Sequence, residues 1–501
     1  MSHLEMQRYY IDRESRGKIG GIVVAIVMAI IIAALLYHQV IFYKTFLKQS
    51  ESNRIRIRPI IPKRGVIYDR NLQMMADNRL SFTVSLVPCE VVKSVTIPRL
   101  SQLLGIDTIE IKQRAAVTYS VESVRRYVEG ISSETFIGYI GEVSPEEVDV
   151  ESPMGYRPGR LIGKKGIEKA YDEELRGLEG TDYIEVSAQG VIVGPYEMKD
   201  KVPAIPGSDL VLTIDANLQQ FIVKYFDSLQ YCGAVVAIDP NNGEILALAS
   251  FPGLDPNIFS GIIPANLWQT IVDDSNHPLL NRPLTGLYPP GSTAKLFTAG
   301  AALERGAITE GTLLRPCFGG MQFGNRFFKC WDPRGHGRLD VYHAVEQSCD
   351  VFFYQTGQLL GLDDWSQLAI KSGFGKKTGI DIAGELAGII PSASYYDKVY
   401  GKRGWSKLLI VNLAIGQGEF TITPLQLAQF YCGLANGGKI FRPHLLREIR
   451  RADGSMEKMR PQIVLQLPFS KANMTILQRA LEMVVQGDRG TAQGIRNKNY
   501  S

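Results

Sequence analysis

The sequence predicts an α/β protein, of the α+β kind, that is preceded by one membrane-spanning helix. Three observations support this fold class: an uncharged apolar stretch near the N-terminus, short apolar strands mixed with charged helices after it, and hairpin and helix patterns in the C-terminal half. Four parts are expected. They are a tail at 1–18, a transmembrane helix at 19–37, a domain of mixed strands and helices at 38–206 and a larger α/β domain at 207–501.

Length and composition indicate a folded protein with a large core. The chain has 501 residues, of which 45% are hydrophobic and 21% are charged, which is enough for two or three domains. Its formal net charge of +4 is small for this size and argues against a nucleic-acid-binding protein. Six cysteines are too few and too scattered to form a disulfide scaffold.

The apolar stretch at 19–37 is long enough to span a bilayer as a helix. It is longer than the usual apolar core of a signal peptide, and no clear Ala-x-Ala site follows, so we interpret it as an uncleaved anchor. Basic residues lie on both sides, at Arg8, Arg13, Arg16 and Lys18 before the stretch and at Lys44, Lys48 and Arg54 after it. The positive-inside rule therefore decides only narrowly for a cytoplasmic tail and an exported bulk.

Local patterns predict the elements that follow the anchor. Alternating Arg and Ile residues at 54–58 favour an extended strand, and two prolines with a glycine at 202–207 mark a domain boundary. Beyond that boundary, apolar runs and turn residues predict further elements. They are a strand at 210–215, a helix at 218–229, a hairpin at 233–250 and apolar helices at 423–434 and 474–485.

The strongest candidate for chemistry is the stretch Tyr288-Pro-Pro-Gly-Ser-Thr-Ala-Lys295. The prolines and the glycine predict a turn, and the small and apolar residues after it predict a buried helix with Ser292 in its first turn. Lys295 would lie one turn further on the same face, where a neutral lysine can accept the proton that a serine nucleophile loses. The alternative is a helix cap and a solvated lysine, because Ser-x-x-Lys occurs three times in the chain.

A second polar group follows at Gln347-Ser-Cys-Asp350, directly before an apolar helix. A serine hydroxyl and a carboxylate near a nucleophile can relay protons and position a substrate, so Ser348 and Asp350 are candidates for these roles. A polar turn in front of a buried helix would have the same residues. The motif alone does not separate the two interpretations.

With these motifs, the chain resembles the class B penicillin-binding proteins of the elongation type, penicillin-binding protein 2. The resemblance covers most of the chain and rests on an ordered series of motifs. They are the single anchor, Asn53–Arg56, Arg64-Gly65, Asp69–Asn71, Gly163–Glu168, Ala237–Pro240, Tyr288–Lys295, Ser348–Asp350, Lys377–Asp381, Ile415–Gly418 and Thr423–Ala428. The resemblance implies a penicillin-binding, serine β-lactamase-like transpeptidase fold for 207–501 and a dimerisation-type pedestal for 38–206.

The resemblance also implies the activity. It implies a serine-type peptidoglycan D,D-transpeptidase that cross-links stem peptides outside the cytoplasmic membrane and is inhibited by β-lactams. Ser292 would be the nucleophile, Lys295 its base and Ser348 the proton shuttle, with Asp350 in the same motif. A SEDS-type membrane glycosyltransferase would be the partner, with no organic cofactor and no nucleic acid involved.

The chain departs from the family pattern in three places. One is Leu72, which follows Asp-Arg-Asn where the family often has a glycine. The segment at 113–138 is shorter than the family's head region, which predicts a reduced head. The family closes its active site with a strand late in the sequence that carries Lys-Thr/Ser-Gly. The Lys-Thr-Gly at 377–379 lies too soon after Ser348 to be that motif and matches a structural turn of the family instead. Residues 488–493 resemble the loop that precedes the closing strand. We therefore expect that the C-terminal part of the transpeptidase sheet is missing from these residues and that this form acylates poorly.

Two other classes of function stay open. One is a catalytically idle, membrane-anchored scaffold of the wall-synthesis complex, which a missing sheet edge would favour. The other is a β-lactam sensor or hydrolase, which would need an acid that activates water, and the sequence identifies none. A stable penicillin adduct, no adduct, or rapid turnover would distinguish the three classes.

A candidate metal site has the pattern C-x12-C-x5-H-x12-C, formed by Cys317, Cys330, His336 and Cys349. Three thiolates and an imidazole are the ligands of a closed structural zinc site, which would tie the loop after the serine helix to the turn that carries Ser348. Some family members carry zinc beside this motif, held by two acids, a histidine and a cysteine, so the resemblance is to the positions and not to every residue type. The alternative is a Cys317–Cys330 disulfide with Cys349 as a small buried side chain.

Overall fold

The computed structural model describes residues 3–45, 54–87, 115–148, 156, 159–186, 192–196, 200–261, 263–402 and 404–497. The chain divides into two compact units, one from 1–62 and 178–205 and the other from 63–177 and 206–501. The four parts predicted from the sequence stay predictions. The predicted reduction of the head also stays a prediction, since residues 113 and 114 of that segment lie outside the described residues.

The strands are numbered in chain order. They are β1 (Ile55–Ile60), β2 (Ile67–Tyr68), β3 (Met74–Val87), β4 (Ala115–Tyr127), β5 (Ile140–Glu142), β6 (Leu161–Gly163), β7 (Gly180–Val186), β8 (Ile192–Pro195), β9 (Asp209–Leu212), β10 (Gly233–Ile238), β11 (Ile245–Phe251), β12 (Gly320–Phe323), β13 (Arg326–Lys329), β14 (Lys439–Phe441), β15 (Leu446–Arg450), β16 (Met456–Lys458) and β17 (Ile463–Gln466).

The α-helices are numbered in the same way. They are α1 (His3–Leu36), α2 (Gly166–Ala170), α3 (Asp172–Arg176), α4 (Ala216–Leu229), α5 (Ala265–Asp273), α6 (Arg282–Thr285), α7 (Ala294–Glu304), α8 (Val341–Glu346), α9 (Asp350–Leu360), α10 (Leu362–Lys371), α11 (Ala393–Tyr400), α12 (Leu409–Leu413), α13 (Pro424–Ala435) and α14 (Lys471–Gln486).

The first unit contains α1, which a π-helical turn at Tyr37–Ile41 extends. Residues Arg16–Ile41 have a mean hydropathy of 3.1, and this is the one helix in the described part of the chain that is long and apolar enough to cross a membrane. The predicted span at 19–37 lies inside it. In the same unit, β1, β7 and β8 form an antiparallel sheet, so the alternating Arg and Ile residues do form a strand.

In the second unit, six strands form one sheet in the order β16-β15-β9-β2-β3-β4. Neighbouring strands are antiparallel except β2 and β9, where Ile67 pairs with Leu210 in parallel. Both of these residues are fully buried. Because the strands come from both ends of this unit's sequence, the sheet joins distant parts of the chain into one folding unit.

The hairpin predicted at 233–250 is present as β10 and β11. The buried side chain of Gln219, on α4, accepts from the Leu248 N–H and donates to the Leu248 carbonyl, both at 3.0 Å, and so takes the place of a neighbouring strand along β11. The three helices predicted in this part of the chain are also present. They are α4, α13 and α14, with bounds within three residues of those predicted.

The main hydrophobic core surrounds α7, in which residues 294–303 are all buried. The small residues of this helix allow close packing on every side, since a Cβ at Gly300 would lie 2.9 Å from a side-chain atom of Leu477. Phe297 makes edge contacts with other buried rings, those of Trp365, Phe374 and Phe430. A short 3-10 turn at Gly291–Thr293 precedes the helix, and this well-fixed end carries Ser292.

Candidate active site

The turn that carries Ser292 is held by backbone contacts from another part of the chain. Tyr288 and Ile422 exchange backbone hydrogen bonds of 2.9 and 3.0 Å, and the Gly291 N–H donates to the Gly416 carbonyl at 2.8 Å. Gly416 has a φ of +71°, and a Cβ there would lie 2.2 Å from the Gly291 carbonyl oxygen, so a glycine is required. Ser292 itself is exposed, which leaves its hydroxyl accessible at the start of α7.

Lys295 is a buried cation with a complete set of acceptors. The residue is 2% exposed. Its Nζ donates to the Ser348 carbonyl at 2.8 Å, to Ser348 Oγ at 3.0 Å and to Asp350 Oδ1 at 2.6 Å. Three acceptors match the three protons of an ammonium group, and the carboxylate supplies the opposite charge that a buried cation requires. The structure therefore joins the two motifs of the sequence through one side chain.

Ser348 lies in the turn between α8 and α9 with a φ of +52°, in the left-handed region that residues with a side chain rarely adopt. The Cys349 N–H donates to the Ala344 carbonyl at 3.0 Å and closes this turn. Asp350 Oδ2 accepts from the Trp331 N–H at 2.9 Å. The Asp350 carboxylate therefore connects Lys295 on α7 with the loop that carries Trp331.

These groups can exchange protons along existing hydrogen bonds. Ser348 Oγ can give its proton to a nearby base while it takes one from Lys295 Nζ. The start of a helix also has backbone N–H groups without partners inside the helix, and these suit an oxyanion that forms next to Ser292. The arrangement is therefore suited to acyl transfer through a serine ester.

The four predicted metal ligands come together in the structure. The candidate ligand atoms of Cys317, Cys330, His336 and Cys349 all lie within 4.8 Å of one another. His336 Nδ1 lies 3.7 Å from Cys317 Sγ and 3.5 Å from Cys330 Sγ. The three cysteines are buried and unoxidised, so the Cys317–Cys330 disulfide is not formed here. His336 Nε2 is buried and has no hydrogen-bond partner among the described residues.

The thiols of this cluster differ in acidity because they contact one another. The hydrogen bond with the Cys349 side chain lowers the pKa of Cys330 to about 5. The same hydrogen bond raises the pKa of Cys349 well above its ordinary value, and burial raises the pKa of Cys317. One thiolate is thus stabilised by a neighbouring neutral thiol, and a bound cation would favour the thiolate form of the others as well.

Sequence reasoning missed the residues that act through backbone groups. Trp331 has no motif of its own beyond its position next to Cys330. Gly416 belongs to an Ile-Gly-Gln-Gly motif whose letters do not show that it packs against Gly291. The Lys-Thr-Gly at 377–379 forms a turn in which the Thr378 N–H donates to the Glu385 carboxylate at 2.7 Å, as a structural turn would.

Comparison with known families identifies most of the chain. The family model described as "Penicillin binding protein transpeptidase domain" matches residues 233–501, which include Ser292, Lys295 and Ser348. The family model described as "Penicillin-binding Protein dimerisation domain" matches residues 59–120 and 112–212. The two matches follow each other in the order that the sequence motifs predicted.

Individual proteins give the same result. "Peptidoglycan D,D-transpeptidase MrdA" of Acinetobacter baumannii is 32% identical, over 98% of this chain and 78% of its own length. The solved complex of PBP2 and MreC from Helicobacter pylori has a TM-score of 0.73 at 26% identity and covers 88% of this chain and 86% of that one. A structure titled "Structural coordination of polymerization and crosslinking by a peptidoglycan synthase complex" has a TM-score of 0.66 at 27% identity and covers 96% and 86%.

The family matches cover more than half of the chain, and the predicted nucleophile, lysine and second serine all lie inside the transpeptidase match. The resemblance inferred from the motifs is thereby confirmed, together with the fold class. The chain belongs to the penicillin-binding protein transpeptidase family, in its class B elongation type, and is a serine-type peptidoglycan D,D-transpeptidase.

Proposed function

We propose that Ser292 is the acyl-forming nucleophile of this transpeptidase and that Lys295, Ser348 and Asp350 handle its protons. The observation that carries the proposal is the buried Lys295 Nζ, which has Ser348 Oγ at 3.0 Å and Asp350 Oδ1 at 2.6 Å. The position of Ser292 also supports it, since this exposed serine lies three residues before the lysine at the start of a buried helix.

The reaction then has two balanced halves. Ser292 Oγ attacks the carbonyl carbon of the terminal D-alanyl-D-alanine bond of a stem peptide and gives its proton to Lys295, which must first have released one proton of its resting ammonium form. Ser348 passes a proton to the nitrogen of the leaving D-alanine as the C–N bond breaks and takes one from Lys295, which leaves an ester on Ser292 and a neutral Lys295. The amine of a second stem peptide attacks the ester, loses a proton to the same groups and frees the serine. Asp350 stabilises the charged form of Lys295 in both halves.

Intact-mass measurement after incubation with benzylpenicillin tests this assignment. In protein expressed from the full natural gene, we expect one penicillin per chain on Ser292, and no adduct when Ser292 is replaced by Ala. Ser455→Ala is the matched control because Ser455 begins another Ser-x-x-Lys in the chain. An adduct that survives Ser292→Ala would overturn the proposal. A long-lived adduct supports a transpeptidase, rapid turnover supports a sensor or hydrolase, and no adduct on any form supports the idle scaffold.

We propose that Cys317, Cys330, Cys349 and His336 hold a structural zinc ion. Three buried sulfurs and a ring nitrogen, all within 4.8 Å of one another, suit the closed tetrahedral site of zinc. The orphaned His336 Nε2 leaves Nδ1, which faces two of the sulfurs, as the ligand atom. When bound, the ion would supply a charge that fixes the loop to the Ser348 turn and would take no part in proton transfer.

Metal analysis of protein purified without added metal tests the zinc proposal. We expect about one zinc per chain, and its loss from Cys330→Ser together with a lower thermal denaturation midpoint. Cys232→Ser is the matched control, since Cys232 is exposed and lies outside the cluster. Zinc-free protein with a Cys317–Cys330 bridge in non-reducing peptide mapping would decide for the disulfide.

We propose further that the bulk of the chain works outside the cytoplasmic membrane, beside a SEDS-type glycosyltransferase. The apolar helix at Arg16–Ile41 supports the membrane location. The similar structures whose titles name MreC and a peptidoglycan synthase complex support a multiprotein assembly. Cross-linking in membranes followed by mass spectrometry is expected to recover a polytopic glycosyltransferase. The control is the same experiment with the apolar helix replaced by an unrelated membrane-spanning helix. Equal recovery of the glycosyltransferase from both proteins would argue against a partner that binds this helix.

A further inference from the structure

Trp331 makes two hydrogen bonds to the turn that carries Ser348, one on each side of that residue. Its backbone N–H donates to Asp350 Oδ2 at 2.9 Å, and its indole Nε1–H donates to the Gln347 carbonyl at 3.0 Å. The residue is nevertheless 58% exposed, so burial does not account for its position. Its ring also lies against His336, with the ring centroids 5.4 Å apart.

The indole bond acts on the peptide group that sets the conformation of Ser348. The Gln347 carbonyl belongs to the peptide bond between Gln347 and Ser348, and rotation of that peptide about the Ser348 N–Cα bond is the φ angle of Ser348. This φ is +52°, a conformation that costs free energy for a serine and persists only where contacts hold it. On the other side of Ser348, the next peptide is held by Lys295, which donates to the Ser348 carbonyl at 2.8 Å.

We infer that Trp331 is a positioning residue of the active site: its indole N–H holds Ser348 in the left-handed conformation that keeps Ser348 Oγ within hydrogen-bond distance of Lys295 Nζ. The inference rests on the proposed function of Ser348 as a proton carrier. It gives the exposed indole of Trp331 a role in the active site, although the residue lies in the loop between the candidate metal ligands Cys330 and His336. The loop between Cys330 and His336 thereby acts on the catalytic turn through a single side chain as well as through the cysteines.

The test compares Trp331→Phe, which keeps an aromatic ring but lacks the N–H, with the protein without this substitution, both expressed from the full natural gene and studied in detergent. Stopped-flow acylation by a fluorescent penicillin separates the dissociation constant from the first-order acylation rate. We expect the acylation rate of Trp331→Phe to fall about fivefold, as the loss of one hydrogen bond in a rate-determining network does, with the dissociation constant unchanged. Trp268→Phe is the control, since Trp268 is also partly exposed but lies on α5.

A crystal structure of Trp331→Phe provides a readout that does not depend on activity. We expect the φ of Ser348 to leave the left-handed region and Ser348 Oγ to move out of hydrogen-bond distance of Lys295. The inference is overturned if Ser348 stays left-handed in that structure. It is also overturned if Trp331→Phe acylates at the unchanged rate and only Trp331→Ala acylates more slowly, since the ring and not its N–H would then matter. If protein expressed from the full natural gene forms no adduct while Ser348 relaxes as expected, the proposed function fails, and only the hold of the indole N–H on the conformation of Ser348 stands.

Discussion

Glu134 is a carboxyl group buried in the second unit, in the short turn Ser133–Thr135, with 5% of its surface exposed. Thr135 Oγ1 donates to Glu134 Oε1 at 3.2 Å, whereas Oε2 is buried and has no partner among the described residues. Burial raises the pKa of Glu134 from 4.5 to about 7, although backbone N–H groups and Lys165 act in the opposite direction. The folded protein therefore keeps a proton on this side chain at pH values where the unfolded chain has lost it.

Glu134→Gln is expected to flatten the dependence of stability on pH. The stabilisation from the bound proton is fully present below pH 4.5 and is lost as the pH rises through about 7. This amounts to about 3 kcal/mol between those limits, and a glutamine cannot titrate. Thermal denaturation midpoints at pH 5 and pH 8 measure the effect, with the exposed Glu142→Gln as control. If the midpoint falls equally between pH 5 and pH 8 in the unmodified protein, in Glu134→Gln and in Glu142→Gln, the prediction is wrong.

Whether a residue's role could be predicted from the sequence depends on whether its residue type and spacing indicate that role. Lys295, Ser348 and the four cluster residues carry reactive or metal-binding groups at telling spacings, and the structure brings the members of each set together. Trp331 and Glu134 carry no such signal. The first acts through N–H groups that any loop could present, and the second is unusual only because of what packs around it. Roles that depend on packing cannot be read from residue type alone.

At the scale of elements, a buried ion network connects three segments that are far apart in sequence. Glu168, on α2, is fully buried and accepts from Arg64 Nε at 2.8 Å and from Arg125 Nε at 2.6 Å. Burial by itself would raise the pKa of Glu168, but the two guanidinium groups lower it below its ordinary value. The glutamate of the Gly-Lys-Lys-Gly-Ile-Glu motif thus holds α2, β4 and the segment before β2 together.

Glu168→Gln is expected to destabilise the second unit strongly. Removal of the carboxylate leaves the buried Arg125 without an acidic partner among the described residues and Arg64 with Asp172 alone, and such changes cost about 3 to 5 kcal/mol. Thermal denaturation in detergent measures the loss. Glu173→Gln is the matched control, because Glu173 lies on the neighbouring α3 and is exposed. If both variants unfold at the same temperature, the network does not hold these elements together.

The elements themselves differ in how well the sequence predicted them. Helices such as α4 and α13 and the β10–β11 hairpin depend on local periodicity and turn residues, and their predicted bounds were nearly correct. The six-stranded sheet could not be predicted, because β2 has two residues and pairs with β9 more than a hundred residues away. Pairing over such separations depends on the whole fold and not on the strand's own sequence.

At the scale of the whole molecule, one apolar helix separates a short tail from nearly all of the chain. The tail has four basic residues, and the segment directly after the span has three. They are Arg8, Arg13, Arg16 and Lys18 on one side and Lys44, Lys48 and Arg54 on the other. Orientation is expected to follow the excess of Lys and Arg in such flanking segments, so the residues counted here favour a cytoplasmic tail and an exported bulk by one charge.

Because this margin is small, the orientation is expected to be easy to disturb. Alkaline phosphatase is active only after export, so a fusion after residue 212 should be active in the unmodified chain. Replacement of Arg8 and Arg13 by Gln leaves two basic residues before the span against three after it, and should lower this activity several-fold by giving a mixed population. Replacement of Lys44 and Lys48 by Gln is the matched control and should leave the activity unchanged. Full activity of both variants would show that the large exported domain, and not the flanking charges, sets the orientation.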